Sequence, residues 1–219
     1  MHRRQYLATL GAGAAAFTAG CSGGTPDTYL SEPDRKYEAS DVPFPAYGQQ
    51  LPSETLTDPI ANEAIETTGG DGDTVMTFFY SHCQTVCPRL ISALRSVQAK
   101  AIDEDLIEDT HFRAVTFDPE RDDRSRLSQY AERMDVSLED HWRFLRPDSP
   151  SAAKDVVRDT FGVAFRRTHP EDMDMYMFTH RALILLVNDD DYVERAYTKS
   201  TPQWQQISDD LATLRKREG

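Results

Sequence analysis

Two cysteines four positions apart, Cys83 and Cys87, have the clearest capacity for chemistry in this sequence; they lie in residues 82–88, HCQTVCP. On a regular helical turn their Cβ atoms would lie about 5 to 6 Å apart. A relaxed disulfide needs about 3.5 to 4.5 Å, whereas two thiolates on one metal ion, at about 2.3 Å each, sit close to 4 Å apart. The spacing therefore favours metal binding over a stable disulfide, although Cys83 in a loop could still close one.

The C-x3-C pair alone leaves three interpretations open: a metal site, a redox pair of attacking and resolving thiols, or two core cysteines. Soft thiolates combined with an imidazole suit Cu(I) or Zn(II). Two thiolates and one imidazole would leave zinc short of its usual four ligands, while copper tolerates three. The lack of a C-x2-C motif argues against ordinary thioredoxin chemistry.

Histidines offer candidate third ligands. His180 borders an apolar run, where a lone histidine is by default a structural residue. His82 adjoins Cys83, but neighbouring side chains on an extended chain point to opposite faces, so a structural role is favoured. The histidines without a pairing argument are interpreted as surface or packing residues: His111, His141 and His169.

Methionines and acidic residues supply further candidates. Met173, Met175 and Met177 alternate with other residues and would share one face of an extended segment. They are interpreted as core fillers, with an auxiliary role in copper entry kept as a hypothesis. Residues 118–120 (DPE) are interpreted as a turn, with orientation of His180 or contact with a partner as the alternative.

The elements that must position these residues alternate between strand and helix patterns. The cysteines fall where a buried strand ends and a helix begins, and a helix N-terminus favours thiolate. Strands interleaved with helices, ending in a hairpin and a helix, predict an α/β, thioredoxin-like sandwich with a central mixed β-sheet flanked by helices. Predicted strands are residues 74–80, 111–117, 142–145, 182–187 and 192–197, and predicted helices are residues 88–102, 124–134, 149–161 and 202–217.

The amino terminus is typical of an export signal. Residues 1–20 contain Arg3 and Arg4, no acidic residue and an apolar stretch too short to span a membrane. The paired arginines resemble a twin-arginine signal, and residues 18–21 (TAGC) resemble a lipobox that would lipidate Cys21. A plain cleavable signal or an uncleaved anchor is the alternative. We expect a signal at 1–20, a flexible tether with little order at 21–47 and a domain at 48–219, held at the outer face of the cytoplasmic membrane.

Composition narrows the function classes. The 219 residues include 39% hydrophobic residues, enough to bury the core of one domain. There are 37 acidic against 24 basic residues, giving a net charge of −13. Such a chain would repel phosphate backbones, so nucleic acid is excluded as an expected partner.

Taken together, the motifs resemble the SCO/SenC family of copper chaperones for cytochrome oxidase assembly. The resemblance runs from about residue 48 to the C-terminus and rests on residues 82–88, 115–122 (VTFDPERD) and 142–145 (WRFL) and on His180. It implies a thioredoxin-like fold and copper ligation by Cys83, Cys87 and His180. Four neighbouring positions depart from the family pattern: Gln84, Thr85, Thr179 and Arg181.

The resemblance also implies a function. A membrane-anchored copper-binding chaperone would deliver copper to, or reduce the thiols of, a copper-containing terminal oxidase subunit, with subunit II the expected client. Any enzymatic activity would be thiol-disulfide reduction by Cys83 and Cys87. The alternatives are a thiol-disulfide oxidoreductase or peroxidase-like protein that uses this pair, and a non-catalytic copper-responsive module.

Overall fold

The computed structural model describes residues 28–34, 38–139 and 141–216. Strands and helices alternate along the chain, as the sequence patterns predict. The strands are β1 (Thr55–Asp58), β2 (Glu63–Glu66), β3 (Asp73–Phe79), β4 (Thr110–Thr116), β5 (Trp142–Leu145), β6 (Phe165–Thr168), β7 (Met177–His180), β8 (Ile184–Val187) and β9 (Val193–Tyr197). The helices are α1 (Val86–Asp103), α2 (Arg124–Met134), α3 (Pro150–Ala153) and α4 (Trp204–Arg215), with 3-10 turns at Ala39–Asp41 and Ile107–Asp109.

A five-stranded mixed sheet forms the centre, in the order β5-β4-β3-β8-β9. The pairs β3–β4 and β4–β5 are parallel, whereas β8 runs antiparallel to both β3 and β9. All seven residues of β3 are buried, as expected for the middle strand of a sheet covered on both faces. This arrangement confirms the predicted α/β sandwich with a central mixed sheet.

Two small hairpins, β1–β2 and β6–β7, lie outside the main sheet and were not predicted from the sequence. Their strands have four residues each, and β2 and β6 contain no buried residue. Short strands without a clean apolar alternation give no period-two signal. The β6–β7 hairpin matters for function because His180 is its last residue.

The predicted helix at 149–161 is interrupted. Ser149 caps it by accepting a hydrogen bond from the Ala152 amide, with Pro150 in the first turn, as expected. After Ala153 the backbone becomes π-helical over Lys154–Thr160. The wider turn is a local change in backbone hydrogen bonding, and the periodicity of apolar side chains in the sequence does not predict it.

The predicted tether differs from the structure over residues 28–34 and 38–47. Leu30, Phe44 and Tyr47 are buried in the core, and the amides of Tyr29 and Leu30 donate to the buried Glu194 carboxylate at 2.7 and 2.9 Å. Prolines removed any periodic signal here, but isolated apolar residues still found partners on the domain. The rest of the predicted tether, the predicted signal at 1–20 and Cys21 lie outside the described residues.

A glycine allows residues 43–44 to pack closely against the domain. Gly162 has a φ of +65°, and a Cβ atom there would lie 1.6 Å from the carbonyl oxygen of Pro43. Any larger residue would push the two segments apart. The body that positions the site therefore includes this N-terminal segment as well as residues 48–216.

Candidate metal site

The cysteines lie at the junction between the central strand and the first helix. Cys83 is in the loop after β3, its amide donating to the Tyr80 carbonyl at 3.2 Å, while Cys87 is the second residue of α1. The Cys87 amide points at Cys83 Sγ, 3.5 Å away. Both cysteines are free and buried. The helix N-terminus thus directs an amide at Cys83, which favours its thiolate.

Asp122 fixes the start of this loop. Its buried carboxylate accepts hydrogen bonds from the Ser81 amide, the Ser81 hydroxyl and the Thr116 hydroxyl. Arg126, on α2, donates to the Ser81 hydroxyl and carbonyl at 2.7 and 2.8 Å. Because the loop is held from β4 and α2 at once, Cys83 cannot move without breaking buried polar contacts.

The β6–β7 hairpin brings His180 to the cysteines, and three side chains hold its second strand in place. The Tyr80 hydroxyl bonds to both the amide (3.2 Å) and the carbonyl (3.4 Å) of Phe178. Arg121 donates to the Tyr176 carbonyl at 2.9 Å, and the Tyr176 hydroxyl donates to Asp118 at 2.7 Å. The hairpin is thereby fastened to the carboxyl ends of β3 and β4.

His180 is oriented with one nitrogen toward the thiols. Its Nδ1 lies 3.1 Å from the Arg181 carbonyl, which can only accept, so this nitrogen carries the hydrogen. The lone pair of Nε2 then faces Cys87 Sγ at 3.2 Å and Cys83 Sγ at 3.9 Å. The imidazole ring packs against Phe117 and Tyr80.

Three ligand atoms therefore converge, all within 4.8 Å of one another. The histidine comes from 93 and 97 residues away in the chain. A metal ion with bonds of about 2.3 Å to sulfur and 2.0 Å to nitrogen would bridge sulfur and nitrogen atoms at up to about 4.3 Å. The donor set, two thiols and one imidazole, fits one soft ion with three ligands.

The two thiols differ in acidity. A hydrogen bond from the Cys87 thiol, together with backbone hydrogen bonds, holds the pKa of Cys83 well below its usual range against the opposing effect of burial. Burial raises the pKa of Cys87, and its interactions with the Cys83 thiolate raise it further. The reduced pair therefore carries one thiolate, on Cys83, and one proton, on Cys87.

A second group, His82, Asp118 and Asp122, also has its ligand atoms within 4.8 Å of one another. Asp118 already accepts from Arg121 and Tyr176, and Asp122 from Ser81. These carboxylates are engaged in holding the loop and the hairpin. His82 Nδ1 lies 3.3 Å from the Ser81 hydroxyl, a contact that belongs to the same network.

The DPE turn is present and has a further task. The Asp118 carbonyl accepts from the amides of Arg121 and Asp122, as in a turn. The Asp118 side chain also holds the His180 hairpin through Tyr176. Both interpretations of this segment therefore describe part of what it does.

The methionines do not form the predicted single face. Met177 is the first residue of β7, but Met173 lies in irregular structure after the turn at residues 171–172 and Met175 lies in a bend. Met175 is 45% exposed and lines the cleft that contains Cys83. Asp172 and Asp174 fall in the same irregular segment, so period-two reasoning did not apply.

Sequence reasoning missed Tyr80 and Tyr176, which position the histidine hairpin. Neither residue type suggests a role by itself. Tyr80 was assigned to the end of the buried strand, and its hydroxyl contact lies 98 residues away. Arg121 and Asp122 fell inside a recognised motif, but their partners depend on the tertiary fold.

Comparison with known proteins is decisive for the family. The sequence profile of the SCO1/SenC family matches residues 62–216. The chain belongs to the SCO1/SenC family. The matched range contains both cysteines and His180, together with every strand from β3 onward.

A curated relative from Bacillus subtilis (strain 168), described as a SCO1 protein homolog, is 27% identical over 134 residues. That match covers 60% of this chain and 66% of the relative, slightly less than two thirds of its length. Among the described residues, no helix is both long and apolar enough to cross a membrane.

Solved family structures share the fold. A SCO1/SenC family lipoprotein from Bacillus anthracis is 21% identical with a TM-score of 0.64, covering 77% of this chain and 96% of its own. Bradyrhizobium japonicum ScoI with copper bound is 22% identical with a TM-score of 0.62, and the match covers 76% of this chain and 99% of that protein. BsSco is described as a Sco family cytochrome c oxidase assembly protein with a disulfide switch. It is 20% identical with a TM-score of 0.60, and the match covers 78% of this chain and 95% of that protein. At these identities the likeness establishes the fold.

Proposed function

We propose that this protein is a membrane-anchored copper chaperone that delivers copper to the copper centre of a terminal oxidase subunit. The convergence of Cys83, Cys87 and His180 carries the proposal. Copper is the cargo, held by two thiolates and the Nε2 of the imidazole. Copper in the Bradyrhizobium japonicum protein and the assembly role described for BsSco support the same assignment.

The donor set suits a carrier because it binds copper without enclosing it. Thiolates and imidazole favour Cu(I), and three ligands leave a side from which an acceptor ligand can attack. His180 is only half-buried, while both cysteines lie beneath the surface. An incoming ligand can therefore reach the ion from the histidine side and replace protein ligands stepwise.

Thiol-disulfide exchange is the second candidate, favoured by the unequal acidity of the cysteines. The lowered pKa of Cys83 makes it the attacking thiolate, and Cys87 the resolving thiol. The Cys83 thiolate would attack a client disulfide, form a mixed disulfide with one client sulfur and release the other as a thiolate. Cys87 would then displace the second client sulfur, leaving a Cys83–Cys87 disulfide and a reduced client.

A transfer assay separates the two candidates. Copper-loaded protein is mixed anaerobically with the purified soluble domain of a copper-containing oxidase subunit II, in its dithiol or disulfide form. Delivery predicts copper on the dithiol client, with His180→Ala impaired. Reduction predicts that the copper-free protein converts the disulfide client and that His180→Ala retains much of this activity. If copper does not move to the client and the client disulfide is not reduced, the proposed function is refuted.

We also propose that Cys21 carries a lipid that holds the domain at the outer face of the cytoplasmic membrane. The TAGC segment and the preceding apolar stretch support this. The domain division, with a signal at 1–20 and a domain from about 48, belongs to the same proposal, amended by the packing of residues 28–34 and 38–47 on the domain.

A further inference from the structure

Two clefts flank the metal site, and arginines line both. The cleft beside His180 includes Arg166 and Arg181. The cleft beside Cys83 includes Arg126 and Arg133. No carboxylate is among the described residues that line either cleft. We call these four residues the arginine rim.

The arginine rim runs against the charge of the whole chain, which has 37 acidic and only 24 basic residues. Two carboxylates near the site, Asp118 and Asp122, are buried, with relative exposures of 1% and 0%. Asp118 is paired with Arg121, outside the rim. These two carboxylates therefore lie below the surface that the rim presents. Glu120, Asp123 and Asp174 are exposed beside the rim, with Glu120 paired to Arg167 and Asp123 capping helix α2.

Two rim residues are available for an external partner. Arg166 and Arg181 are exposed, and neither guanidinium forms a hydrogen bond or ion pair with any residue that the structure describes. The Arg181 guanidinium lies over the Phe44 ring, 5.8 Å from its centroid, which leaves its N–H groups free to donate. Nearby arginines differ, since Arg158 pairs with Asp159 and Arg167 with Glu120. A free guanidinium can bind a carboxylate through two parallel hydrogen bonds.

The other two rim residues are held in place by the site itself. Arg126 and Arg133 both donate to the Ser81 carbonyl, and Arg133 also lies over the Tyr130 ring. Their positive charge is fixed beside the loop that carries Cys83. Positively charged side chains therefore lie on both sides of the metal site.

We propose that the arginine rim docks an acidic, carboxylate-bearing surface of the protein that exchanges copper with this site. This inference rests on the proposed function. A chain with a charge of −13 repels an acidic partner over most of its surface. The rim makes the metal site the favoured point of approach, so that association and ligand alignment occur together.

The test uses the full-length protein in a neutral detergent and a fluorescently labelled peptide of ten glutamates, with a ten-glutamine peptide for comparison. Anisotropy measures binding at low salt. We expect the glutamate peptide to bind and the glutamine peptide not to bind. The double variant Arg166→Glu/Arg181→Glu should bind the glutamate peptide about tenfold more weakly or worse.

The matched control is Lys100→Glu/Lys216→Glu, which changes the net charge equally at the ends of α1 and α4 remote from the site. It should change the peptide affinity by less than about twofold, because screening weakens distant charges. The variant Arg166→Ala/Arg181→Ala adds no negative charge, so its affinity for the glutamate peptide should lie between those of the unaltered protein and of Arg166→Glu/Arg181→Glu.

Three results would overturn the proposal. One is that the unaltered protein does not bind the glutamate peptide. Another is that the rim variant and the control variant lose peptide affinity equally. The third is displacement of the peptide by free glutamate at a similar concentration, which would indicate a small-carboxylate site. Peptide binding is read without copper, so failure of a separate copper titration would refute the proposed function independently of this result.

Discussion

At the scale of single residues, the unequal state of the two cysteines governs what the site can do. The Cys83 sulfur accepts hydrogen bonds from the Cys87 amide and the Cys87 thiol, and lies 3.9 Å from the imidazole Nε2. Cys87 is fully buried and keeps its proton. Binding of a soft metal ion must therefore displace one proton, from Cys87.

Selective alkylation tests this asymmetry. A free cysteine has a pKa of about 8.5, so it is almost wholly protonated near pH 6, whereas Cys83 with its lowered pKa stays a thiolate. Iodoacetamide at about pH 6 should modify Cys83 and spare Cys87, as read by peptide mass spectrometry. In Cys87→Ala the main cause of the lowered pKa is gone, and modification of Cys83 at this pH should slow. Faster modification of Cys87 than of Cys83 would contradict the assignment.

At the scale of elements, the site depends on the attachment of the β6–β7 hairpin to the central sheet. Tyr80 provides a matched test, because its hydroxyl bonds to the backbone of Phe178 on β7. Tyr130 has a buried hydroxyl for which the described residues offer no hydrogen-bond partner. Both rings pack among aromatic side chains.

We expect Tyr80→Phe to lower the free energy of unfolding by about 1 kcal/mol and to weaken copper binding by loosening the hairpin. Tyr130→Phe removes a hydroxyl without a partner, so stability should be unchanged or higher. Urea unfolding and a Cu(I) competition titration measure the two effects. Equal changes in the two variants would mean that the Tyr80 hydroxyl does not hold the hairpin.

The sequence predicted elements where local signals and tertiary structure agree. Helix α2 has the predicted bounds, because Asp123 caps its N-terminus and Asp135 ends it in the left-handed conformation. Strand β5 is also correct at both ends. The cysteine loop was placed correctly because a buried strand followed by a helical pattern is a strong signal.

The hairpins and the hairpin attachments could not be predicted. Strand β6 (Phe165–Thr168) has two exposed arginines in succession and, within the part of the chain that the structure describes, pairs with β7 alone. Its Phe165 packs against Phe117 and Phe178, whose rings also contact each other. These contacts join distant parts of the chain, so no local pattern marks them. The family resemblance placed His180 near the cysteines, whereas its own surroundings left its role open.

At the scale of the whole molecule, residues 29 and 30 of the N-terminal segment are held at the end of the sheet opposite the metal site. Glu194 follows the start of β9, where β8 pairs with the first residues of β3. Cys83 follows the other end of β3, a strand of seven residues and about 20 Å. If Cys21 carries the proposed lipid, the described chain begins, at residue 28, at the end of the sheet that faces away from the metal site.

Glu194→Gln should release this segment. The Glu194 carboxylate accepts hydrogen bonds from the amides of Tyr29 and Leu30 and from the Asn188 side chain. The NH2 group of a glutamine side chain would face one of these donors, which should lower the free energy of unfolding by about 1 to 3 kcal/mol. Hydrogen exchange of the residue 29 and 30 amides should accelerate, while the helix α1 amides stay protected. Glu66→Gln on the exposed strand β2 is the control. Unchanged exchange in Glu194→Gln would show that this clip does not hold the segment.

The anchor itself is tested at Cys21. If this cysteine carries the lipid, Cys21→Ser should release or mislocalise the protein while the copper site stays intact. Intact-mass analysis of the wild type should show the added lipid, and its absence would refute the anchor. Export that continues normally after Arg3 and Arg4 are changed to Lys would remove the twin-arginine assignment alone.

The central claim, one copper ion held by Cys83, Cys87 and His180, is tested most directly by anaerobic Cu(I) titration of the reduced protein with X-ray absorption at the copper edge. We predict one copper per chain with two sulfur ligands and one nitrogen ligand. Either Cys→Ser variant should abolish tight binding. Loss of a residue that only hydrogen-bonds to a metal ligand costs roughly tenfold to hundredfold in affinity, so His180→Ala should weaken copper binding by at least this much. The control His111→Ala, on β4, should leave the copper affinity unchanged. Unchanged copper affinity in His180→Ala, or copper retained by the double Cys→Ser variant, would contradict the account.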